Sequence, residues 1–241
     1  MKETRAVVTL CIGTGADAFG KYSHPAMKRY AMKVHADFIK LDQPKIGFTA
    51  SRNFNPILFE KYQVQDVLED HDRVLFLDTD ILITPRALDI FNAVPPDKIG
   101  GVFEDFGTEQ VHRRDLIQKV QECLGDVGWT DGFINSGVFV VSKLHRDIFR
   151  MHETYGFYDG EYEQTNTNWY MRKAGFDIIN LDYRFNFMGI HRIYYGPVHR
   201  DAYFIHYAGG GLFPWVPRID QIKNDYEYFY EHKNVKSFED I

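Results

Sequence analysis

Apolar runs and helical spacings alternate along the chain. Ala6–Ile12 is an essentially apolar run rich in β-branched residues, and such a run predicts a buried strand of a parallel sheet. The segment Gly13–Gly20 that follows is rich in glycine and is predicted to be a loop. Ser23 is then expected to cap a helix that carries Pro25 in its first turn.

The same pattern continues to the end of the chain. The predicted strands are Ala6–Ile12, Asp37–Leu41, Arg73–Leu77, Ile81–Ile83, Ile99–Phe103, Phe133–Ser142, Phe176–Leu181 and Ala202–His206. The predicted helices are Ser23–Val34, Asn53–Leu68, Glu109–Leu124, Leu144–Thr154, Gln164–Lys173 and Ile219–His232. Strands that alternate with helices indicate an α/β fold with a mainly parallel sheet. Sheets of this kind bind ligands outside the carboxyl ends of their strands.

Two acids interrupt the most apolar part of the sequence. Asp78 and Asp80 lie within Val74–Ile83, where nearly every other residue is apolar. A buried carboxylate needs a compensating cation or a water-filled cleft, and residues two apart on an extended chain point the same way. Both acids can therefore reach one divalent ion, with substrate phosphates completing its ligands. The alternative is a turn at the strand end in which the acids accept from nearby backbone N–H groups.

Composition excludes several classes of protein. Lys plus Arg is 28 and Asp plus Glu is 34, which gives a formal net charge of −6 and argues against a dedicated nucleic-acid binder. No apolar run approaches the ~20 residues of a membrane span, so we predict no transmembrane segment and leave only peripheral membrane contact open. Two cysteines cannot make a disulfide framework or a zinc site alone. These features, with no secretion signal recognised, favour a cytoplasmic protein.

Four landmarks, in order, resemble a known family. The segment Asp72–Asp80 is similar to the DRVLYLD strand and DXD motif of GT-A glycosyltransferases, in particular glycosyltransferase family 8, the group of glycogenin and the lipopolysaccharide galactosyltransferases. Three later landmarks also resemble this family, and they are Phe133–Ser142 (FNSGV), Glu163–Trp169 (DQD…N) and His206–Trp215 (H-x-x-G-x-x-K-P-W). The resemblance implies a GT-A type fold, with a Rossmann-like, mainly parallel sheet flanked by helices. It implies one domain, 1–241, with a nucleotide-sugar-binding half, 1–105, and an acceptor-binding half, 106–241.

The resemblance also implies a metal-dependent transfer of sugar from a nucleotide-sugar, in the first place a UDP-sugar, to a glycan or other hydroxyl acceptor. Asp78, Asp80 and His206 would hold Mn²⁺ or Mg²⁺, and imidazole suits Mn²⁺ better. The alternative for His206 is a core or surface histidine. Residues expected to contact the donor are Cys11, Ile12, Gly13, Thr14, Arg52, Asp78, Thr79, Asn135, Ser136 and Gly209. Asn135 and Ser136 are expected to expose their polar groups to sugar hydroxyls, with an Asx turn as the alternative, and Arg52 is otherwise a solvated surface charge.

Three residues are the catalytic candidates. Gln164 matches the family glutamine on the β face of the donor sugar, and Glu163 and Asp131 are the carboxylates nearest the motifs. An inverting enzyme needs one carboxylate as general base, whereas the resemblance favours retention. This sequence departs from the family in two places. Phe213 stands where the family has a lysine that contacts the diphosphate, with Arg218 or Arg192 as substitutes, and Thr165 stands where it has an acid.

Other interpretations remain beside this one. Interleaved rings and cations between 186 and 206 suit an acceptor-sugar groove or an aromatic surface loop. The sequence Gly13-Thr-Gly15 resembles the fingerprint of an NAD(P)-dependent oxidoreductase, but the predicted delay before the helix argues against it. A haloacid dehalogenase-type phosphatase carries its Asp-x-Asp after the first strand rather than a later one. An inactive sugar-binding module is the third alternative.

Overall fold

The computed structural model describes residues 3–46, 56–150 and 162–233, together with 235 and 238. Its strands are β1 (Arg5–Leu10), β2 (Asp37–Leu41), β3 (Arg73–Asp78), β4 (Ile81–Ile83), β5 (Ile99–Phe103), β6 (Ile134–Ser142), β7 (Ile178–Asn180) and β8 (Phe204–His206). Its α-helices are α1 (Thr14–Lys33), α2 (Val64–Asp70), α3 (Gln110–Leu124), α4 (Tyr162–Lys173), α5 (Gly189–Tyr195) and α6 (Arg218–Tyr230). Short 3₁₀ helices include Pro56–Gln63 and Lys143–Ile148.

Six strands form one sheet in the order β2-β1-β3-β6-β5-β7. β1 pairs parallel with β2 and β3, and β5 pairs parallel with β7, while β6 runs antiparallel to both of its neighbours. Five strands therefore point the same way, which confirms the predicted α/β class with a mainly parallel sheet. Their carboxyl ends and the first residues of β6 meet at one side of the sheet, here called the carboxyl edge.

Successive residues of the central strands pack on opposite faces of the sheet, as the period of a strand requires. Val7 and Leu75 face a core formed with α1 and α6, whereas Val8 and Phe76 face a second core that includes residues of α2, α3 and α4. All four side chains are fully buried. The strands are apolar on both faces because helices cover both, which explains the unbroken apolar runs in the sequence.

A small ribbon outside the main sheet brings the end of the chain to the acid pair. β4 follows the acids directly and pairs antiparallel with β8, with Ile81 opposite His206. The ribbon continues past the strands, where the Tyr207 N–H donates to the Asp80 carbonyl at 3.1 Å. Residues about 125 positions apart in the sequence are thereby held side by side at the carboxyl edge.

Helix α1 begins earlier than the sequence predicts. Gly13 adopts a φ of +89°, a backbone region open to glycine, and the helix starts at Thr14 with Pro25 in its interior rather than in its first turn. The predicted delay before this helix is therefore wrong, and it does not count against an NAD(P)-dependent oxidoreductase. The sheet order does, because classic dinucleotide-binding folds have the strand order 3-2-1-4-5-6, unlike the order found here.

Two other helices also differ from expectation. The helix predicted over Asn53–Leu68 is a 3₁₀ helix, Pro56–Gln63, followed by α2, and its first residues lie outside the described part. The helix predicted over Leu144–Thr154 is the short 3₁₀ helix Lys143–Ile148, and its predicted end also lies outside it. No helix within the described ranges has the length and apolar character to cross a bilayer.

Candidate active site

Two aspartates and a histidine meet at the end of β3. His206 Nε2 lies 3.4 Å from Asp80 Oδ1 and 3.9 Å from Asp78 Oδ2. Each residue offers one ligand atom, and these atoms all lie within 4.8 Å of one another. The pairing of β4 with β8 produces this meeting, since it sets Ile81 opposite His206. The three side chains could hold a metal ion and are here called the metal-ligand group.

The ring of His206 is held in place by a hydrogen bond from its other nitrogen, Nδ1. Its Nδ1 lies 2.9 Å from Asn186 Oδ1, and because that oxygen can only accept, Nδ1 carries the proton. Nε2 therefore faces the two aspartates and is the ring nitrogen that a metal ion would bind, as in metal sites where a second partner fixes the ligand histidine. Gly137 of β6 gives the ring its space, since a Cβ there would clash with the imidazole. The need for space beside the His206 ring thus explains the glycine in the Phe133–Ser142 motif.

Lys61 is a site residue that the sequence analysis did not find. Its ammonium group lies 3.0 Å from Asp78 Oδ1 and 2.6 Å from Glu163 Oε1, and its side chain is almost completely buried. Burial acts to lower the pKa of Lys61, but the two carboxylates outweigh it and raise the pKa above its ordinary value. Lys61 is therefore a fixed positive charge beneath the acid pair. Nothing in its local sequence relates it to Asp78, because only the fold brings them together.

Ser136 and Gln164 connect this lysine to the start of β6. Ser136 Oγ donates to Glu163 Oε1 at 2.7 Å and accepts from Lys61 Nζ at 3.2 Å. The Ser136 N–H donates to Gln164 Oε1 at 3.3 Å. The carboxylate of Glu163 has a second oxygen, Oε2, that is buried and has no hydrogen-bond partner among the described residues. An unpaired buried carboxylate oxygen is costly, and this atom keeps the capacity to accept a further hydrogen bond.

A second set of contacts leads from Gln164 back to the histidine. Gln164 Nε2 and Asn135 Nδ2 donate to the two oxygens of Glu104, at 3.1 and 2.8 Å. Asn186 Nδ2 donates to Asn135 Oδ1 at 3.0 Å, and Asn186 in turn holds His206. Asn135 and Ser136 are therefore not exposed, as expected from sequence, but buried in a network that holds the metal-ligand group in place. The reason is that β6 is one of the two central strands of the sheet, with its start covered by α4.

The acid pair has unequal proton affinity. Burial acts to raise the pKa of Asp80, but His206 and Arg218 outweigh it and lower the pKa. For Asp78, burial prevails over the attraction of Lys61, and the neighbouring Asp80 adds to it, so the pKa is raised. A further cation beside Asp78 would favour its ionised form. The raised pKa of Asp78 thus reflects mainly its burial, which Lys61 only partly offsets.

A pocket of about 470 Å³, here called the first pocket, opens beside the acid pair. Its polar end is formed by Asp78, Thr79, Asp80 and Arg218, and the rest of its lining is Leu10, Ile12, Gly15, Ala16, Phe19, Ile57 and Leu58. The volume is within the range of small-molecule sites. The pocket lies at the ends of β1 and β3, where ligands of α/β sheets bind.

Some of the predicted donor-contact residues line this pocket or are next to its lining in the chain. Ile12 and Thr79 line it, and the Thr79 hydroxyl lies 3.1 Å from His24 Nε2. Cys11 is buried, with its thiol 3.6 Å from Asp17 Oδ1. Gly13 and Thr14 are exposed where α1 begins, and Arg52 lies outside the described residues.

Arg218, the first residue of α6, is the one cation among the described residues that line this pocket. Its guanidinium lies 3.3 Å from Asp80 Oδ2, donates to the Gly209 carbonyl and lies 4.8 Å above the ring of Phe19. Arg192, the other substitute considered for the family lysine, stacks instead on the rings of Phe213 and Trp215. Of the two arginines, the fold brings Arg218 to the acid pair.

A second pocket, of about 590 Å³, lies further along the carboxyl edge at the ends of β5 and β7. Its lining is Val102, Phe103, Asp105, Phe106, Arg114, Asp131, Gly132, Asn180, Leu181, Asp182, Tyr183, His191 and Tyr195. Asp131, a catalytic candidate, is exposed on this pocket. Two aromatic residues from the segment between 186 and 206, His191 and Tyr195, belong to α5, a helix that the sequence analysis did not predict.

Comparisons with known proteins identify the fold. No protein-family model and no curated protein matches the sequence, but solved structures match the fold. A glycosyltransferase involved in the glycosylation of the major capsid of PBCV-1 aligns with a TM-score of 0.63 and 14% identity, over 91% of this chain and 98% of that chain. The galactosyltransferase LgtC, in complex with donor and acceptor sugar analogs, aligns with a TM-score of 0.56 and 16% identity, over 97% and 98%.

The bifunctional glycosyltransferase WbbM in its apo form gives a TM-score of 0.61 and 12% identity, over 95% of this chain and 50% of that chain. The three structures agree with the fold that the sequence landmarks predicted. This chain therefore has the GT-A glycosyltransferase fold.

Proposed function

We propose that the protein is a metal-dependent glycosyltransferase that moves a sugar from a nucleotide-sugar to a hydroxyl acceptor. The observation that carries the proposal is the group of Asp78, Asp80 and His206 beside the first pocket, with ligand atoms within 4.8 Å of one another. A UDP-sugar is the first donor to test, because the landmarks resemble glycosyltransferase family 8. The cytoplasmic location stays a prediction.

The residues present fit a divalent ion. Two carboxylates and one neutral imidazole nitrogen are a ligand set that suits Mn²⁺ and accommodates Mg²⁺ less well. The proton of His206 is held on Nδ1 by Asn186, so Nε2 is free to bind. When bound, the ion would supply positive charge that stabilises the diphosphate as it leaves the sugar.

Two protein cations would act with this site. The Arg218 guanidinium lies on the first pocket and 3.3 Å from Asp80, where it would bind a donor phosphate and take the place of the family lysine. Lys61 beneath Asp78 balances the negative charge of the acid pair. Both cations are fixed before substrate arrives, which is the condition for effective electrostatic stabilisation.

The first pocket suits the nucleoside. Phe19 and the aliphatic side chains of Leu10 and Ile12 form an apolar lining against which a base would pack, and the charged end of the pocket faces the diphosphate. Gly209 provides the carbonyl that orients Arg218. A ligand with a flat apolar part and an anionic part matches this arrangement.

Glu163 and Gln164 are proposed to contact the reacting sugars. In the transfer, the acceptor oxygen forms a bond to the anomeric carbon, the bond from that carbon to the diphosphate breaks, and the hydroxyl proton is released. Oε2 of Glu163 has no hydrogen-bond partner in the described part of the chain, and we propose it as the acceptor for a sugar hydroxyl or for that proton. Asp131 lies on the second pocket and is proposed to contact the acceptor. Retention is the expected stereochemistry on the resemblance alone.

A donor panel tests the function. We expect one nucleotide-sugar, with UDP-sugars first, to raise the melting temperature in the presence of Mn²⁺ and to be consumed slowly without acceptor, because a true donor stabilises the native state by mass action. NAD⁺ and NADP⁺ serve as comparison ligands for the oxidoreductase alternative. Stabilisation without turnover of any donor would favour an inactive sugar-binding module, and no response to any nucleotide-sugar would contradict the proposal.

A further inference from the structure

Residues 209–216 lie between β8 and α6 and are here called the glycine loop, because they begin with three consecutive glycines. The carbonyl of Gly209 accepts from Arg218 Nη1 at 3.3 Å, and Arg218 belongs to the charged end of the first pocket. The loop therefore starts beside that end of the pocket. Gly209 and Gly210 are exposed, so packing of these two residues does not fix their conformation.

One fully buried side chain, Gln221 of α6, holds the rest of the glycine loop. Its Oε1 accepts from the N–H groups of Leu212 and Phe213 at 2.8 and 3.2 Å. Its Nε2 donates to the carbonyls of Phe213 and Val216 at 2.9 and 2.7 Å, with a longer contact of 3.5 Å to the carbonyl of Gly210. A primary amide has two acceptor lone pairs and two N–H donors, so the four shorter contacts use the whole capacity of the side chain.

The conformation of Gly211 leaves room for this glutamine. Its φ of +76° lies in the region that glycine adopts readily, and a Cβ there would lie 2.7 Å from both polar atoms of the Gln221 amide. The carbonyl oxygen of Gly211 approaches α5, since a Cβ on Gly189 would lie 2.7 Å from it. The loop is thus packed closely between the start of α5 and the first turns of α6.

Helix α6 is itself fixed to the end of β8. Arg218, Gln221 and Asp225 lie on one face of the helix, because residues three, four and seven apart share a face. Asp225 is buried and accepts from the Tyr207 hydroxyl at 2.8 Å and from Arg200 Nε at 3.1 Å. The loop is therefore held by two residues of one anchored helix, at its start by Arg218 and over its remainder by Gln221.

We propose that Gln221 is a positioning residue for donor binding, which acts through the glycine loop on Arg218. The inference rests on the proposed function and deepens it, because it names the residue that arranges the diphosphate end of the first pocket. Consecutive glycines have many accessible backbone conformations, and a site that is competent for only part of the time binds with an affinity reduced by that fraction. Gln221 keeps the loop in one conformation, in which the Gly209 carbonyl holds Arg218 beside Asp80.

Calorimetric binding of a nucleoside diphosphate to the whole chain tests this. The probe is whichever of UDP, GDP and ADP binds the wild-type protein most tightly with Mn²⁺, and absence of binding for all three would overturn the proposal. The variant Gln221→Met keeps a side chain of similar length and loses its hydrogen bonds. Gln121→Met is the matched control, because Gln121 of α3 holds the backbone of Val127 and Trp129 in the same way and lines a different pocket.

We expect Gln221→Met to raise the Kd of the probe about fivefold, as the loop leaves its competent conformation, and Gln121→Met to leave it unchanged. Arg218→Ala should raise the Kd about tenfold. Since Gln221 acts through Arg218, the double variant should also stay at about tenfold, whereas independent action predicts about fiftyfold. An unchanged Kd in Gln221→Met, equal weakening in both methionine variants, or additive effects with Arg218→Ala would overturn the proposal.

Hydrogen exchange measures the response of the loop itself. In Gln221→Met, the N–H groups of Leu212 and Phe213 should exchange faster because they lose their acceptor, while that of Val127 should keep its protection. Gln121→Met should give the reverse pattern, since the Val127 N–H donates to Gln121. Unchanged exchange at Leu212 and Phe213 in Gln221→Met would contradict the proposal.

A second variant disturbs the same contact from the loop side, in case Gln221→Met does not fold. In Gly211→Ala the new Cβ meets the Gln221 amide, whereas in the control, Gly175→Ala, the Cβ has nothing within 4 Å although φ is +71°. Both variants place alanine in the left-handed region, and only one displaces the glutamine. We expect only Gly211→Ala to raise the Kd of the probe, by about fivefold, and equal affinities would count against the proposal.

Donor turnover is measured on the same samples, so that the two proposals fail separately. In Gln221→Met the donor KM should rise about fivefold while kcat stays within about twofold of the wild-type value, because bound donor selects the competent loop. Turnover with a diphosphate affinity that does not depend on Gln221 overturns the inference and leaves the transferase function standing. Gln221-dependent diphosphate binding without turnover of any donor supports the inference and contradicts the transferase function.

Discussion

The two pockets at the carboxyl edge are built from different residues. The first pocket has an apolar lining, with Phe19 among it, and its charges are gathered at one end around Asp78, Asp80 and Arg218. The second pocket has stacked rings, and its charged groups are distributed around the lining and are mostly acidic. The charges of the first pocket are thus gathered at one end, whereas those of the second are spread around its lining.

Because of this difference, the two pockets should differ in their need for a metal ion. A pocket that concentrates acids needs a cation before it can accept an anionic ligand, so the first pocket should depend strongly on a metal. A pocket that holds neutral rings and fixed acceptors does not need one. The network from Lys61 through Glu104 to His206 connects the acid pair with the start of β6.

The largest expected effect is on donor turnover, when one acid of the pair is replaced. Asp78→Asn or Asp80→Asn should reduce donor turnover by about three orders of magnitude, because each removes a metal-ligand charge needed at the leaving group. The measurement is nucleotide release with Mn²⁺, together with circular dichroism to check the fold. Asp42→Asn, an exposed acid paired with Lys40, is the control and should keep normal turnover. Near-normal turnover in both site variants would contradict the metal mechanism.

The next effect concerns pH and the second pocket. His191 has a pKa lowered from 6.5 to about 4 by burial and by His206. Between these values the unfolded state binds the additional proton, so stability is fully present above about pH 6.5 and falls as pH decreases toward 4, by up to about 3 kcal/mol.

Thermal melting across this pH range measures the effect. In His191→Gln the fall with decreasing pH should become shallower, since Gln does not titrate, although the side chain can still accept from the Met188 N–H that holds the ring. His112→Gln, at a half-exposed histidine of α3, should keep the wild-type slope. An unchanged slope in His191→Gln would show that other groups cause the acid sensitivity.

A smaller effect, on Mn²⁺ affinity, is expected from replacing Asn186, which contacts His206. Asn186→Ala removes the acceptor that holds the proton on His206 Nδ1, and loss of such a partner lowers metal affinity by about 10- to 100-fold. Asn186→Asp keeps an oxygen acceptor and should retain most of the affinity. Titration with Mn²⁺, followed by electron paramagnetic resonance, gives the values.

The matched control for this prediction is Asn180→Ala. Asn180 accepts from the Phe103 N–H at the end of the second pocket, so its loss should leave Mn²⁺ affinity unchanged. If both asparagine variants bind Mn²⁺ as well as the wild type, His206 does not depend on Asn186 for its orientation.

The smallest effect distinguishes the two arginines. Arg218→Ala should raise the donor KM by about tenfold, since it removes one charge-assisted contact to a phosphate, and the effect should decrease with added salt. Arg192→Ala removes an arginine that stacks on Phe213 and Trp215 and should leave the donor KM nearly unchanged. Steady-state kinetics with the donor identified by the panel check both. The reverse result would mean that Arg192 reaches the phosphate.

Much of the fold could be read from local patterns. β5 has the predicted bounds, β3 ends one residue later than predicted, and α3 starts one residue later. The start of α1 was misjudged because glycines and Pro25 usually mark loops and helix starts, yet here the helix accepts both. α5 was missed because its short sequence, Gly189–Tyr195, has aromatic and charged residues in place of a clear apolar period.

The candidate site could be predicted only in part from local sequence patterns. Asp78 and Asp80 could be found because carboxylates in an apolar strand need an explanation, and His206 was found through the resemblance. Lys61 and Glu104 carried no such signal, since a lysine or glutamate in a helix or at a strand end is ordinary in sequence. Their burial, and their ion pair and hydrogen bonds, arise from contacts between distant segments.

By itself, the sequence determined the strands, the α/β class and the acid pair at the end of β3, because hydrophobic period and buried charge are properties of neighbouring residues. Tertiary structure alone decided which cation stands beside that pair, where the end of β8 meets it, and that Asn135 and Ser136 are buried. The physical reason is that burial and electrostatics at a site depend on distances between segments far apart in the chain, and packing sets those distances.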